Sequence, residues 1–242
     1  MKRYIKTVRT ALSVLAFFLV VWVAVNATEK AVPADAGAEM EKTTPLIALT
    51  FDDGPMRKTT AALLDGLAQR GVQATFFLTG EQVIGNEDIV RRMEREGHQI
   101  GIHTYDHVTL TGLNRADFDA QVDKTRQILK NVLGYEDFAL RPPYGLYDEG
   151  VQAMAESPII LWSIDPEDWG DKNARRETEH IVEKAQDGAV ILLHDIYSQS
   201  VEAALAAVDE LHRQGYLFVT VEELFAQRGI ELENGKVYRS AS

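Results

Sequence analysis

Five short stretches of this chain carry side chains able to bind a metal or move a proton, and each follows an apolar run. The first is Thr50-Phe51-Asp52-Asp53-Gly54-Pro55, where the run Leu46 to Leu49 gives way to two adjacent carboxylates and a turn. On a strand these two side chains point to opposite sides, so one site can use both only if the chain turns there, which implies two different duties. Taken alone, the same residues also suit an acidic loop capping the next helix. The second stretch is His103-Thr104-Tyr105-Asp106-His107. On a helix, a spacing of four places both imidazoles on one face, where they can share a metal. Two histidines and a carboxylate leave coordination positions open for water and substrate, whereas a structural site closes its shell. Two exposed histidines at a helix start are the plainer alternative.

In Arg141-Pro142-Pro143-Tyr144-Gly145 the two prolines fix the backbone and remove two N–H donors, so the Tyr144 amide is the first that is free to meet a ligand. A proline-stiffened turn beside a surface arginine fits as well. Trp162-Ser163-Ile164-Asp165-Pro166-Glu167-Asp168-Trp169 again sets acids directly after an apolar run, with Trp169 either an aromatic wall for a ring-shaped ligand or a plug over the core. Ile191-Leu192-Leu193-His194-Asp195 ends an apolar strand on a histidine that suits either an acid catalyst or a hydrogen-bonded core position.

The elements that must position these side chains follow a βα pattern from Pro45 onward. Strands are predicted at Leu46–Thr50, Ala74–Leu78, Gln99–His103, Ala139–Arg141, Ile159–Ile164, Ala189–His194 and Leu217–Val221. Between them, Asn114 caps a predicted helix with Asp117 in its first turn, Phe118, Val122, Leu129, Val132 and Leu133 on its apolar face, and Gly134 as its stop. Val201, Ala204, Leu205, Val208 and Leu211 mark another such face before Gly215. Asn234-Gly235 between short apolar runs predicts a terminal hairpin. Six or seven βα units fit an irregular (β/α) barrel, whose ligands gather at the C-terminal ends of the strands. Ahead of it, Lys2, Arg3, Lys6 and Arg9 precede the apolar run Ala11 to Val25, and Val25-Asn26-Ala27 suits a signal peptidase. The expected organisation is a signal peptide or uncleaved anchor at 1–27, a tether at 28–44 and one catalytic domain at 45–242. Without the first 27 residues, 21 basic residues face 37 acidic ones, a balance of −16 that speaks against sequence-independent nucleic-acid binding. There is no cysteine, so a bound metal depends on His, Asp and Glu.

Together and in this order, TFDDGP, HTYDH, RPPYG, DPEDW and Leu192-Leu193-His194 resemble the five motifs of the polysaccharide deacetylases of carbohydrate esterase family 4, over about Pro45 to Phe225. The resemblance implies a distorted (β/α) barrel of about seven parallel strands. It implies a divalent metal on Asp53, His103 and His107, usually zinc, with cobalt, manganese or iron also suited to such ligands. Asp52 would be the general base, held ionised by Arg141, and His194 the general acid, charged and oriented by Asp165 or Asp168. The Tyr144 N–H would meet the oxyanion, and Trp169 the sugar. The implied reaction is hydrolysis of N-acetyl groups on a cell-wall amino-sugar polymer, with peptidoglycan ahead of chitin-type oligomers. Acetyl-xylan esterase activity and a non-catalytic wall-binding module are the rival readings. The expected protein is an extracytoplasmic monomer that meets the membrane only through its N-terminal segment.

Overall fold

The computed structural model describes residues 44–170 and 172–242. The expected signal segment and most of the tether lie outside the described residues, among which no helix is long and apolar enough to cross a membrane.

The order of elements is β1 (Leu46–Asp52), α1 (Arg57–Arg70), β2 (Thr75–Leu78), α2 (Gly80–Val83), α3 (Glu87–Arg95), β3 (Gln99–Ile102), α4 (Arg115–Leu133), a 3-10 turn (Pro143–Gly145), α5 (Glu149–Met154), β4 (Ile159–Ile160), α6 (Ala174–Lys184), β5 (Ala189–His194), α7 (Ser198–Arg213), β6 (Leu217–Val219), α8 (Val221–Gln227) and β7 (Val237–Tyr238). The central sheet runs β3-β2-β1-β5, all parallel. Single parallel bridges at Ile102–Leu140, Leu140–Ile159 and Ile164–Ile191 carry the circuit on from β3 round to β5. The result is an incomplete, distorted barrel rather than seven even staves. Pro142 and Pro143 have no N–H to donate, so the strand expected at Ala139–Arg141 shrinks to the bridge at Leu140. β6 pairs only with the lower part of β1, at Leu46–Ala48, while β2 pairs with its upper part, at Thr50–Asp52. The predicted terminal hairpin does not form: Val237–Tyr238 pairs in parallel with β4, and Asn234-Gly235 makes a turn without a ladder.

Alternation along the strands separates two apolar layers. Ile47, Leu49 and Phe51 of β1 and Ile191 and Leu193 of β5 pack outward with Leu63, Leu64 and Leu67 of α1 and Val208 and Leu211 of α7. Leu46, Ala48 and Val190 face inward with Phe77 and Ile160, closed at the base by Val221, Leu224 and Phe225 of α8. This same parity puts Thr50 and Asp52 on the inner face of β1, and Leu192 and His194 on that of β5. Because Asp52 stands opposite His194 in the register, the two side chains emerge together at the rim. α4 matches its predicted signals, with the Asn114 side chain accepting from the Asp117 N–H and Gly134 in the left-handed conformation at φ 89°.

Candidate active site

Asp53 follows Asp52 with φ of 74°, a conformation uncommon for a residue with a side chain. That kink lets two neighbouring carboxylates face one cleft, as the adjacent acids require. The histidine pair is brought together differently from the expectation. Residues 103–107 form a turn rather than a helix, with Thr104 at φ 65° and His107 at φ 62°, and the imidazole centroids lie 5.0 Å apart. The loop is tied down by Gly80 and Glu81 of α2, whose N–H groups donate to the carbonyls of Thr104 and Tyr105. Asp53, Thr104, His107, Tyr144 and Glu167 all have positive φ, and all lie in the loops around the cleft. Each conformation of this kind costs about 1–3 kcal/mol, so the surrounding structure must enforce it.

The candidate metal ligands Asp53, His103 and His107 satisfy a simple test of fit. His103 Nδ1 donates to the Arg141 carbonyl at 2.7 Å, and burial pushes the imidazole below its ordinary pKa, so Nε2 presents a bare lone pair. That nitrogen lies 3.5 Å from Asp53 Oδ1, with His107 Nε2 at 3.3 Å. Asp53 Oδ1 is itself buried without a hydrogen-bond partner. Acceptor atoms facing one another in this way call for a cation, and the three ligand atoms lie within 4.8 Å of one another. The donor set suits a divalent ion with positions left open.

Arg141 is fully buried rather than a surface residue. Its Nη1 donates to Asp52 Oδ1 at 2.7 Å and to Thr50 Oγ1 at 2.8 Å, and Nε and Nη2 donate to the carbonyls of Ile160 and Leu161. Phe77 stacks beneath it with the guanidinium carbon 4.0 Å from the ring centroid, in space that Gly101 leaves open. Burial draws the guanidinium below its ordinary pKa, while the charge of Asp52 and the bond to it oppose the shift. Every donor direction the group uses is therefore satisfied, which makes its burial tolerable.

Of the two acids after β4, Asp168 reaches His194. It is fully buried, its Oδ1 accepts from His194 Nδ1 at 2.8 Å, and its Oδ2 accepts from the His194 backbone N–H at 2.8 Å. Burial works against the imidazolium, but the bond to Asp168 and its charge, followed by the charges of Asp52 and Asp53, push His194 up to about 9. Asp165 instead accepts from the Glu167 N–H and lines the cleft, with its carboxyl pushed upward by burial. The cleft has a volume of about 430 Å³ and contains Asp52, Asp53, His103, His107, Tyr144, Asp165, Trp169 and His194. Trp162, Leu192 and Tyr197 complete the lining. Tyr197, missed in the sequence, precedes α7 and lies three residues beyond His194, where the strand-end pattern could have pointed to it. Arg141 and Asp168 stand behind the lining.

Comparison with known proteins gives a consistent set of relatives. A sequence model of the family described as "Polysaccharide deacetylase" matches residues 39–158. The chain is 41% identical over 197 residues to "Peptidoglycan-N-acetylglucosamine deacetylase PgdA" of Listeria monocytogenes, covering 81% of this chain and 42% of that protein. It is 38% identical over 179 residues to "Peptidoglycan-N-acetylmuramic acid deacetylase PdaC" of Bacillus subtilis, covering 74% of this chain and 38% of that one. The chain thus spans about two fifths of the length of these relatives. A solved family 4 acetyl xylan esterase from Clostridium thermocellum, in complex with a cobalt ion, superposes with a TM-score of 0.77 at 29% identity, covering 81% of this chain and 98% of that chain.

Proposed function

The chain belongs to the polysaccharide deacetylase family, and on that premise we propose that it is a metal-dependent hydrolase removing N-acetyl groups from the amino sugars of peptidoglycan, with release of acetate. The observation that carries this reading is the convergence, in one cleft, of a metal-ligating triad, an arginine-paired carboxylate and an aspartate-paired histidine. The names of the two bacterial relatives support peptidoglycan as the polymer. A sugar chain also suits the cleft: Tyr144 in the 3-10 turn and Trp169 in the loop beyond β4 both line it and are exposed, at 64% and 57%. Aromatic faces of this kind stack on pyranose rings. A polymer in the wall places the domain outside the cytoplasmic membrane, released or tethered through residues 1–44.

A divalent ion, zinc in this proposal, held by Asp53, His103 and His107 would polarise the acetyl carbonyl and acidify the attacking water. Asp52 takes the proton from that water, and Arg141 fixes its carboxylate through Oδ1. The Tyr144 N–H, set by its positive φ at the mouth of the cleft, meets the charge that develops on the acetyl oxygen. The departing amine needs a proton, because an amide anion is too basic to leave. His194 supplies it from Nε2, the nitrogen left free when Nδ1 binds Asp168. Each of the two groups thus has its own buried partner: Arg141 fixes the Asp52 carboxylate, and Asp168 keeps His194 protonated in the neutral range.

Acetate release from purified peptidoglycan, chitin oligomers and acetyl-xylan, with and without chelator, tests the reading. Release from peptidoglycan that chelation abolishes is the expected result. Release confined to acetyl-xylan would make the protein an esterase, and binding without release would make it a wall-binding module. His103→Ala is expected to lower metal content and turnover together by at least about 10–100-fold, the loss that even a supporting group of a metal site causes. Unchanged metal by elemental analysis would remove His103 from the ligand set.

A further inference from the structure

Asp195, the residue after His194, has no part in these steps, yet its side chain is fully buried. Its Oδ2 accepts from Thr60 Oγ1 at 2.5 Å, and its Oδ1 is buried without a hydrogen-bond partner. Thr60 lies in the first turn of α1, and its hydroxyl accepts in turn from the Met56 N–H at 2.7 Å. The chain therefore links the end of β5, the start of α1 and the segment that follows the Asp53 turn. The carboxyl also lies directly on Gly54: a Cβ added there would overlap both carboxyl oxygens. Gly54 is not among the glycines of positive φ, so the requirement for glycine at this position is one of space, and Asp195 is what fills that space.

We propose that Asp195 is a positioning residue that braces the Asp53-Gly54 turn, aims Asp53 at His103 and His107, and locks that turn to the strand end bearing His194. Asp53 has a strained φ that needs enforcement from more than one side. On one side, Thr79 donates its N–H to the Gly54 carbonyl at 3.2 Å and its hydroxyl to the Asp53 carbonyl at 3.4 Å. Asp195 and Thr60 supply the other side. Burial, followed by the charges of Asp53 and Asp52, pushes the Asp195 carboxyl up to about 7 against the Thr60 bond, which suits a brace acting by shape and hydrogen bonding. The inference rests on Asp53 being a metal ligand, so its test must separate the two claims.

The full chain, stripped with chelator, is titrated with Co²⁺ and followed by visible absorption, alongside kcat and KM for acetate release. Asp195→Ala is expected to weaken Co²⁺ binding by about 10–100-fold, as loss of an outer-shell support does. The same variant should lower kcat with KM within about twofold, the signature of lost transition-state geometry. Asp195→Asn keeps the shape and the acceptor for Thr60, and should stay within about threefold of the unmodified protein on both readouts. Thr60→Val removes only the hydroxyl and should weaken Co²⁺ binding in the same direction, which decides the matter if Asp195→Ala fails to fold. Unchanged Co²⁺ affinity and spectrum in Thr60→Val, or an Asn variant as impaired as the Ala variant, would overturn the brace while leaving the metal site intact. An unmodified protein that takes up no Co²⁺ would overturn the metal site itself, and the brace with it.

Discussion

Replacing Asp52 by Asn is expected to lower acetate release by about 10²–10⁴-fold, the range for removal of a general base, while metal content stays near that of the unmodified protein. Asn has the same shape and still offers an oxygen to Arg141 Nη1, but it cannot take a proton from water. Asp52 lies beside the proposed metal triad without belonging to it: its Oδ2 is 3.7 Å from His103 Nε2, and its Oδ1 is occupied by Arg141 at 2.7 Å. The substitution also has a structural cost. Arg141 and Asp52 are both buried, and breaking a buried pair by removing one charge costs about 3–5 kcal/mol. Here the guanidinium keeps its bonds to Thr50, Ile160 and Leu161, so the loss should fall at the lower end of that range. The variant should therefore be folded, metal-loaded, less stable to heat and nearly inactive. Turnover close to that of the unmodified protein, measured with metal content in the same preparation, would remove Asp52 from the role of base.

The parts of the fold that the sequence disclosed are those where one physical signal acts alone. β1 and β5 are parallel strands buried along nearly their whole length, so their continuous apolar runs mark them within two residues. α4 has its cap, its apolar face and its terminating glycine in series. The sequence fails where backbone conformation departs from regular periods. The spacing of His103 and His107 implied a helix, because a separation of four has a simple meaning only on one. In the structure the rings converge through positive φ at Thr104 and His107, and no glycine marks either position. Prolines 142 and 143 cut one expected strand to a single bridge, and the run Ile159–Ile164 divides into β4 and a separate bridge at Ile164. The pairing of His194 with Asp168 rather than Asp165 depends on the path of the loop between them, which spacing does not encode. Asp195 was hidden for another reason. An acid beside a histidine reads as part of the histidine's motif, and only its burial against Gly54 and Thr60 gives it a separate task.

His194→Ala is expected to give a folded, metal-loaded protein with turnover lowered by about 10²–10⁴-fold, because His194 is the cleft imidazole that a buried carboxylate holds protonated through the neutral range, with Nε2 left to serve the leaving amine. The companion variant Asp168→Asn tests how that proton is kept. In the unmodified protein His194 is pushed up to about 9, so the acid is present through the neutral range and is lost as pH rises through that value. The activity should therefore have an alkaline limb. A divalent ion cancels charge on Asp53, which contributes to the upward shift, so the limb in the loaded enzyme should lie below the value read for His194 by NMR titration of the metal-free protein. Asp168→Asn removes the strongest upward influence and leaves burial, which favours the neutral imidazole. Both the limb and the NMR titration should then move toward lower pH, with kcat reduced at neutral pH. Linkage gives the stability the same sign: a folded pKa above the unfolded 6.5 contributes stability in full below pH 6.5 and loses it as pH rises toward 9. An alkaline limb that stays in place in Asp168→Asn would show that another group supplies the proton, and normal turnover in His194→Ala would reduce the histidine to a packing role.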